Sequence, residues 1–334
     1  FTRLTDLLKE GMDGEVNIGI ASNQAEEWYP LFGSLLSRSQ GNWELWTAFT
    51  VEDPEDNPPM ARWLTLSESG ALFDIEVNAS PILAAEMLRR NLWNVAYGCL
   101  VTSATLTALG TFDRFRMRAG LPKKAVTAVV PSPFHHADAG VLRVPDLKAD
   151  PRDAPAHTAA IIRDLPGLVE GSRGTLVLFS SRKQMQDVFD GLDRDWRKQV
   201  FIQGNLSKQE TLNKHKARVD GGDSSVLFGL ASFAEGVDLP GAYCEHVVIA
   251  KIPFSVPDDP VEAALAEWIE ARGGNPFMEI SVPDASLKLV QACGRLLRTE
   301  EDRGTITLLD RRLVTQRYGK AILNALPPFR REIS

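Results

Sequence analysis

The chain has 334 residues, 44% of them hydrophobic, and its 37 Lys and Arg against 44 Asp and Glu give a formal net charge of -7. That length supports a large core and about two domains, while the acidic balance excludes nucleic-acid binding by bulk charge and leaves only a narrow basic groove. No apolar run suits a membrane span, and three scattered cysteines (Cys99, Cys244, Cys293) without metal or disulfide spacing fit a reducing, cytoplasmic setting.

Residues 1–95 read as a mixed α+β segment. The opening FTRLTDLLKEG lacks the basic start and apolar middle of a signal peptide, and a first residue of Phe suggests a fragment. WELWTAFTVED (43–53) and ARWLTLSESGALFDIEV (61–77) read as strands, the second containing a Ser-Glu-Ser-Gly turn, with EDPEDNPP between them. SPILAAEMLRRNLW (80–93) reads as a helix capped by Ser80 with Pro81 in its first turn. Trp28, Trp43, Trp46, Trp63 and Trp93 are expected in the core rather than as base-stacking groups.

From Tyr97 the pattern changes to short continuous apolar runs between helical stretches. GCLVTSATL (98–106), TLVLFSS (175–181), QVFIQG (199–204), SSVLFGLASF (224–233), HVVIAKIPF (246–254) and GTITLLD (304–310) suit strands buried on both faces of a parallel sheet. Helices are expected within 157–171, 182–196, 208–222 and 259–274, and a Pro/Gly-rich stretch at 125–140 reads as a boundary. The fold class is therefore α/β, a doubly wound parallel sheet. His135 and His136 read as surface residues, and no HExxH pattern occurs.

In such sheets chemistry gathers beyond the carboxyl ends of the strands. The polar residues there are Ser103, Thr105, Ser180, Ser181, Gln203, Ser232, Glu235, Asp238 and Asp310. No His or Cys stands among them to activate a serine, but hydroxyls and an amide suit a phosphate backbone. For Ser181, ahead of RKQMQDVF, capping a helix is an equal alternative. Further on, QACGRLLR (291–298) follows Asp284; if Asp284 caps a helix from Ala285, then Gln291, Arg295 and Arg298 share one face at i, i+4 and i+7. Arginines on a mostly buried helix need an anion, which spacing leaves open between a carboxylate and a phosphate.

VTSATL (101–106), TLVLFSS (175–181), GLASFAEGVDLPG (229–241) and QACGRLLR occur in that order, with PSPF (131–134), KIPFSVPDDP (251–260) and RLVTQRYGKAILNALP (312–327) between and after them. Together they resemble the later motifs of superfamily 2 DNA helicases of the XPD/DinG family, well over 97–328 and loosely before it. The resemblance implies a RecA-like second motor domain at 126–334, the last strand of the first motor domain with a linker at 96–125, and at 1–95 the end of an inserted arch-like segment. GxxxxGK[ST], Asp-Glu-x-His and a four-cysteine set are not in this sequence. The P-loop, Mg2+ site and 4Fe-4S cluster are thus expected in a missing N-terminal half, and this chain alone is expected to be inactive.

By the same resemblance Arg298 is the arginine finger, Arg295 its phosphate-contacting neighbour, and Gln291 lies near the nucleotide or attacking water. Gly236 permits close backbone approach, Asp238 faces the ribose or bridges to the arginine helix, and Glu235 either positions Arg295 or contacts the nucleotide directly. Ser180, Ser181, Gln203 and Ser232 form the DNA track, and Ser103 and Thr105 couple hydrolysis to movement. The implied activity is ATP-dependent 5′ to 3′ translocation on single-stranded or forked DNA by a monomer, with single-stranded-DNA-binding protein as a partner. The alternative is a non-catalytic nucleic-acid-binding or regulatory module that keeps the helicase fold.

Overall fold

The computed structural model describes residues 22–53, 57–69, 72–230, 236–255 and 259–334, with Arg3, Asp6, Glu10 and Phe233 as single positions. In chain order the longer elements are α1 (Ser22–Thr50), β1 (Met60–Ser69), β2 (Leu72–Pro81), α2 (Asp113–Ala119), β3 (Gly140–Val144), α3 (Ala154–Leu168), β4 (Gly174–Phe179), α4 (Arg182–Gly191), β5 (Val200–Ile202) and α5 (Lys208–Asp220). They continue with β6 (Ser225–Leu230), β7 (His246–Ile249), α6 (Pro260–Ala271), α7 (Val282–Cys293), β8 (Gly304–Leu308), α8 (Arg317–Ala325) and β9 (Arg330–Ile333). The chain divides into two compact units, one of Phe1–Ala84 with Val256–Gly274, the other of Ala85–Ser255 with Asn275–Ser334. Helix α6, expected from sequence within the second motor domain, thus falls in the first unit.

In the first unit β1 and β2 form an antiparallel hairpin, in register from Met60 opposite Pro81 to Ser69 opposite Leu72. Arg62 joins the hairpin to the end of α1 with all five of its N–H groups. Nε donates to the Ala48 carbonyl, Nη1 to Asp53 (2.7 Å) and the Met60 carbonyl (3.2 Å), and Nη2 to Asp53 (3.0 Å) and the Val51 carbonyl (3.2 Å). A cation there satisfies carbonyls that the helix end leaves unpaired and opposes its dipole.

Three expectations fail here. The 43–53 segment is mostly helix, the last turns of α1; Trp43, Trp46 and Phe49 recur every three residues, a helical spacing that overrides their strand propensity. Trp43 and Trp46 are 44% and 49% exposed rather than core, and the Trp28 side chain lies outside the described residues. Ser80 and Pro81 end strand β2 instead of capping a helix, since a proline at a strand terminus costs no ladder bond, and helix begins only at Ala85.

The second unit holds a seven-stranded sheet, order β5-β6-β4-β7-β8-β3-β9, with every pairing parallel: a RecA-like, doubly wound architecture. Alternation inside one continuous apolar run builds both faces. Leu176 and Leu178 of β4 join Leu227, Val247, Ile306 and the α7 residues Ala285 and Leu289, while Val177 and Phe179 join Phe228, Val248 and the α3 residues Ile161 and Leu165. A side chain at Gly304 would collide with the Glu245 carbonyl, so only glycine lets β8 start beside β7.

The 98–106 segment, expected as a strand, pairs with no described strand, and Leu100 is 90% exposed. An apolar run becomes a strand only where a neighbouring edge accepts its backbone bonds. Among the described residues no helix is long and apolar enough to cross a membrane.

His135 is exposed and His136 half-buried against Phe134 and Phe329, but the other three histidines are core. His157 Nε2 donates to the Leu309 carbonyl (2.9 Å), and His215 Nε2 to that of Tyr243 (2.8 Å). His246 Nε2 shares a bond with the Thr307 hydroxyl (2.7 Å). Burial pushes all three below the usual 6.5, and His246, also beside the Arg143 charge, is taken to about 4. They stay neutral while the unfolded chain gains protons, so stability is full above about pH 6.5 and falls as pH drops toward 4. His246 alone is worth on the order of 3 kcal/mol over that window. Urea melts between pH 7.5 and 4.5 should show the midpoint falling, and a midpoint flat across this range would refute the assignment.

Candidate functional site

Helix α7 ends at Cys293, so Arg295 and Arg298 lie past it and the expected i, i+4, i+7 face is not formed. Gly294 closes the helix, and buried Leu296 and Leu297 draw the chain inward, turning the two arginines off the helical path. Nor does Asp284 cap α7. It sits inside the first turn and binds Arg114, with Arg118 at 3.6 Å, which ties α2 to α7.

The turn after α7 is organised by Asp302, which is 5% exposed. One carboxylate oxygen accepts from the backbone N–H of Arg298 (2.6 Å) and Thr299 (2.8 Å). The other accepts from the Gly241 N–H (2.9 Å) and the Thr299 hydroxyl (3.0 Å). Burial alone would raise this carboxyl, but the bonds from Thr299, Arg298 and Gly241 outweigh it and hold it below the usual value.

Asp302 thereby fixes the arginine turn against the segment that follows Gly236. There Arg298 Nη2 donates to the Val237 carbonyl at 2.7 Å, and Arg295 Nη1 donates to the same oxygen at 3.2 Å. Arg298 Nε lies 3.5 Å from Asp238, whose carboxylate is 77% exposed, and is buried without a hydrogen-bond partner among the described residues. Gly236 has φ +67, a conformation glycine adopts without strain, and is exposed. Two guanidiniums on one carbonyl, beside an exposed carboxylate, concentrate positive charge in a rigid turn.

This turn sits where β7 and β8 begin, since Asp302 closely precedes β8 and Gly241 leads into β7. The other candidates lie elsewhere. Gln291 donates to the Thr105 hydroxyl (3.3 Å), and the Ser103 hydroxyl accepts from the Thr105 N–H (3.3 Å), so Ser103, Thr105 and Gln291 form one group.

At the carboxyl ends of the strands Ser180 is exposed after β4, while Ser181 caps α4 by accepting from the Gln184 N–H (3.2 Å). Gln203 spends its side-chain oxygen on the Leu230 N–H (2.8 Å), adding a rung to the β5–β6 ladder. Asp310 is 1% exposed and accepts from the Ile252 N–H and from Arg312, which makes it an internal strut. Ser232 and Glu235 lie outside the described residues. Sequence reasoning missed Asp302 and the Val237 carbonyl; nothing in TEEDRG marks one of its three acids apart from the others, and a backbone acceptor carries no signal at all.

Residues 168–329 match the family described as the helicase C-terminal domain. The chain is 40% identical over 337 residues to the ATP-dependent DNA helicase DinG of Photobacterium profundum, covering 99% of this chain and 48% of that protein. It is 36% identical over 277 residues to the ATP-dependent DNA helicase DinG of Escherichia coli K12, covering 81% of this chain and 38% of that one. It thus spans about half, or less, of the curated relatives it matches. Among solved structures it is similar to an XPD helicase, at 18% identity over 59% of this chain and 36% of that one, with a TM-score of 0.45.

A parallel RecA-like sheet carrying an arginine turn defines the class as a helicase motor domain. The chain belongs to the XPD/DinG helicase family, of which it carries the C-terminal domain.

Replacing Asp302 with Ala would strand the N–H groups of Arg298, Thr299 and Gly241, costing about 3 kcal/mol. Denaturant melts should show this loss, with Asp302→Asn recovering part of it. An unchanged midpoint for Asp302→Ala would remove its organising role.

Proposed function

We infer that this chain supplies the second motor domain of an ATP-dependent DNA helicase, whose nucleotide-gripping first domain lies outside it. The observation that carries the reading is the shared Val237 carbonyl, which holds Arg295 and Arg298 side by side in a turn fixed by buried Asp302. Phosphoryl transfer needs cationic charge on the γ-phosphate as it leaves, and a guanidinium fixed before the reaction supplies it without reorganisation. Arg298 takes the finger role and Arg295 contacts phosphate, with Gly236 and Asp238 beside them, and Glu235 is assigned to the same nucleotide site. Gln291 attends the nucleotide, and its bond to Thr105 joins it to the Ser103–Thr105 coupling segment.

Residues 98–106, unpaired here, would complete the sheet of that first domain, and 1–95 would end its inserted arch-like segment. Ser180, Ser181, Gln203 and Ser232 form the DNA track. Ser180 is the freest of the three described, because Ser181 and Gln203 already hold backbone groups. Mg2+ would be held with ATP by carboxylates of the first domain. A 4Fe-4S cluster would likewise draw on cysteines outside this chain. Burial pushes the Cys244 and Cys293 thiols up to about 12, far from the thiolate form a cluster needs. We place the parent in the cytoplasm with the nucleoid, as a monomer moving 5′ to 3′ on single-stranded or forked repair intermediates, with single-stranded-DNA-binding protein as a partner.

The test is ATP turnover of the full-length parent with and without single-stranded DNA. Arg298→Ala should lower DNA-stimulated turnover about 1,000-fold or more, the usual scale for an arginine finger. Retention of that turnover would sink the finger assignment. No turnover in the wild-type parent would favour the non-catalytic module instead.

A further inference from the structure

At the carboxyl edge of the sheet, away from the arginine turn, three rings meet. Phe254 follows β7, Tyr318 lies in the first turn of α8, and Phe277 opens a π turn (Phe277–Ser281) that runs directly into α7. Phe277 stands edge-on to Tyr318 (5.1 Å, 87°) and 5.3 Å from Phe254, which lies 5.8 Å from Tyr318.

Aromatic clusters are commonly plain core, but this one differs in three respects. Phe277 is 40% exposed and the adjoining Met278 42%, so the cluster opens to solvent. Arg312 lies over Phe254 at 5.7 Å, its guanidinium fixed by the buried Asp310 carboxylate through bonds of 2.9 and 2.6 Å. A π turn, uncommon and often found at functional sites, carries the exposed ring.

Two further cations border the rings. Lys251 stands between β7 and Phe254, where burial and the charge of Arg312 both favour its neutral form, so an incoming anion would relieve that cost. Among the described residues Arg152, 73% exposed, pairs with Asp150, itself 44% exposed. An exposed pair of this kind contributes little and exchanges readily for a phosphate.

An exposed aromatic ring beside cations suits a polymer that alternates flat bases with phosphates. We propose that the exposed Phe277 ring, braced by Phe254 and Tyr318, forms a base-stacking platform for single-stranded DNA, with Arg152 and Lys251 contacting the adjoining phosphates. This rests on the helicase reading and extends its DNA track from Ser180 across the ends of β7, β8 and β3. Phe277 and the arginine turn lie at opposite ends of α7, whose 12 residues span about 18 Å, so one rigid element joins the base-bound and phosphate-bound sites.

The test uses the full-length parent, fluorescence anisotropy, an oligo-dT strand and an abasic strand of equal length, at two salt concentrations. Phe277→Ala and the bulk-preserving Phe277→Leu should weaken dT binding about fivefold or more and leave abasic binding unchanged. Phe277→Trp should restore dT binding, with its fluorescence quenched by dT. Arg152→Ala with Lys251→Ala should weaken both strands alike and reduce the salt slope. Wild-type dT affinity in Phe277→Ala, or equal loss for both strands, would overturn the platform alone. A wild-type protein that binds neither strand would overturn the DNA reading and the platform with it.

Discussion

Because all strands of the large sheet run parallel, each connection must travel back along the sheet before the next strand can begin. Helix α7 makes that return between β7 and β8, and the geometry decides where its ends lie. Its head stands among rings at the carboxyl edge, and its tail delivers Arg295 and Arg298 to the edge where β7 and β8 start. The aromatic cluster and the arginine turn are therefore separated by the length of one helix.

What keeps the arginine end rigid is a buried carboxylate rather than hydrophobic packing alone. Asp302 gathers the N–H groups of Arg298, Thr299 and Gly241, which links the turn before β8 to the segment before β7. Asp310 does similar work at the opposite edge, joining Ile252 to Arg312. Each carboxylate is almost fully buried and saturated with donors, the condition under which a buried charge is tolerated. The guanidiniums of Arg295 and Arg298 share the Val237 carbonyl, and Arg298 Nε stands 3.5 Å from the exposed Asp238 carboxylate.

The parallel sheet was legible in the sequence because strands buried on both faces write themselves as continuous apolar runs. TLVLF and HVVI carry that signal without ambiguity, and Ser181, for which capping is one of two readings open in the sequence, does cap α4. The first 95 residues were harder, since Trp43, Trp46 and Phe49 have strand propensity but helical spacing. The 98–106 run shows the opposite limit, in which sequence describes a strand but cannot supply the edge it needs. At the candidate site, motif order pointed to Arg295, Arg298 and Gln291, while Asp302 and the Val237 carbonyl depend on contacts made by folding. The role of Gln203 was obscured for the same reason, because it binds a backbone group brought near by the sheet, whereas the Ser181 cap is local and is one of the two readings open in the sequence.

The central claim is that the two ends of α7 communicate, with a nucleotide at the arginine turn changing how the domain holds DNA. The most direct measurement is the affinity of the full-length parent for single-stranded DNA with a non-hydrolysable ATP analogue and with ADP, in wild type and Arg298→Ala. The account predicts that wild-type affinity differs between the two nucleotides by about fivefold or more and that the difference vanishes in Arg298→Ala. An Arg298→Ala protein that keeps the full wild-type difference would contradict it.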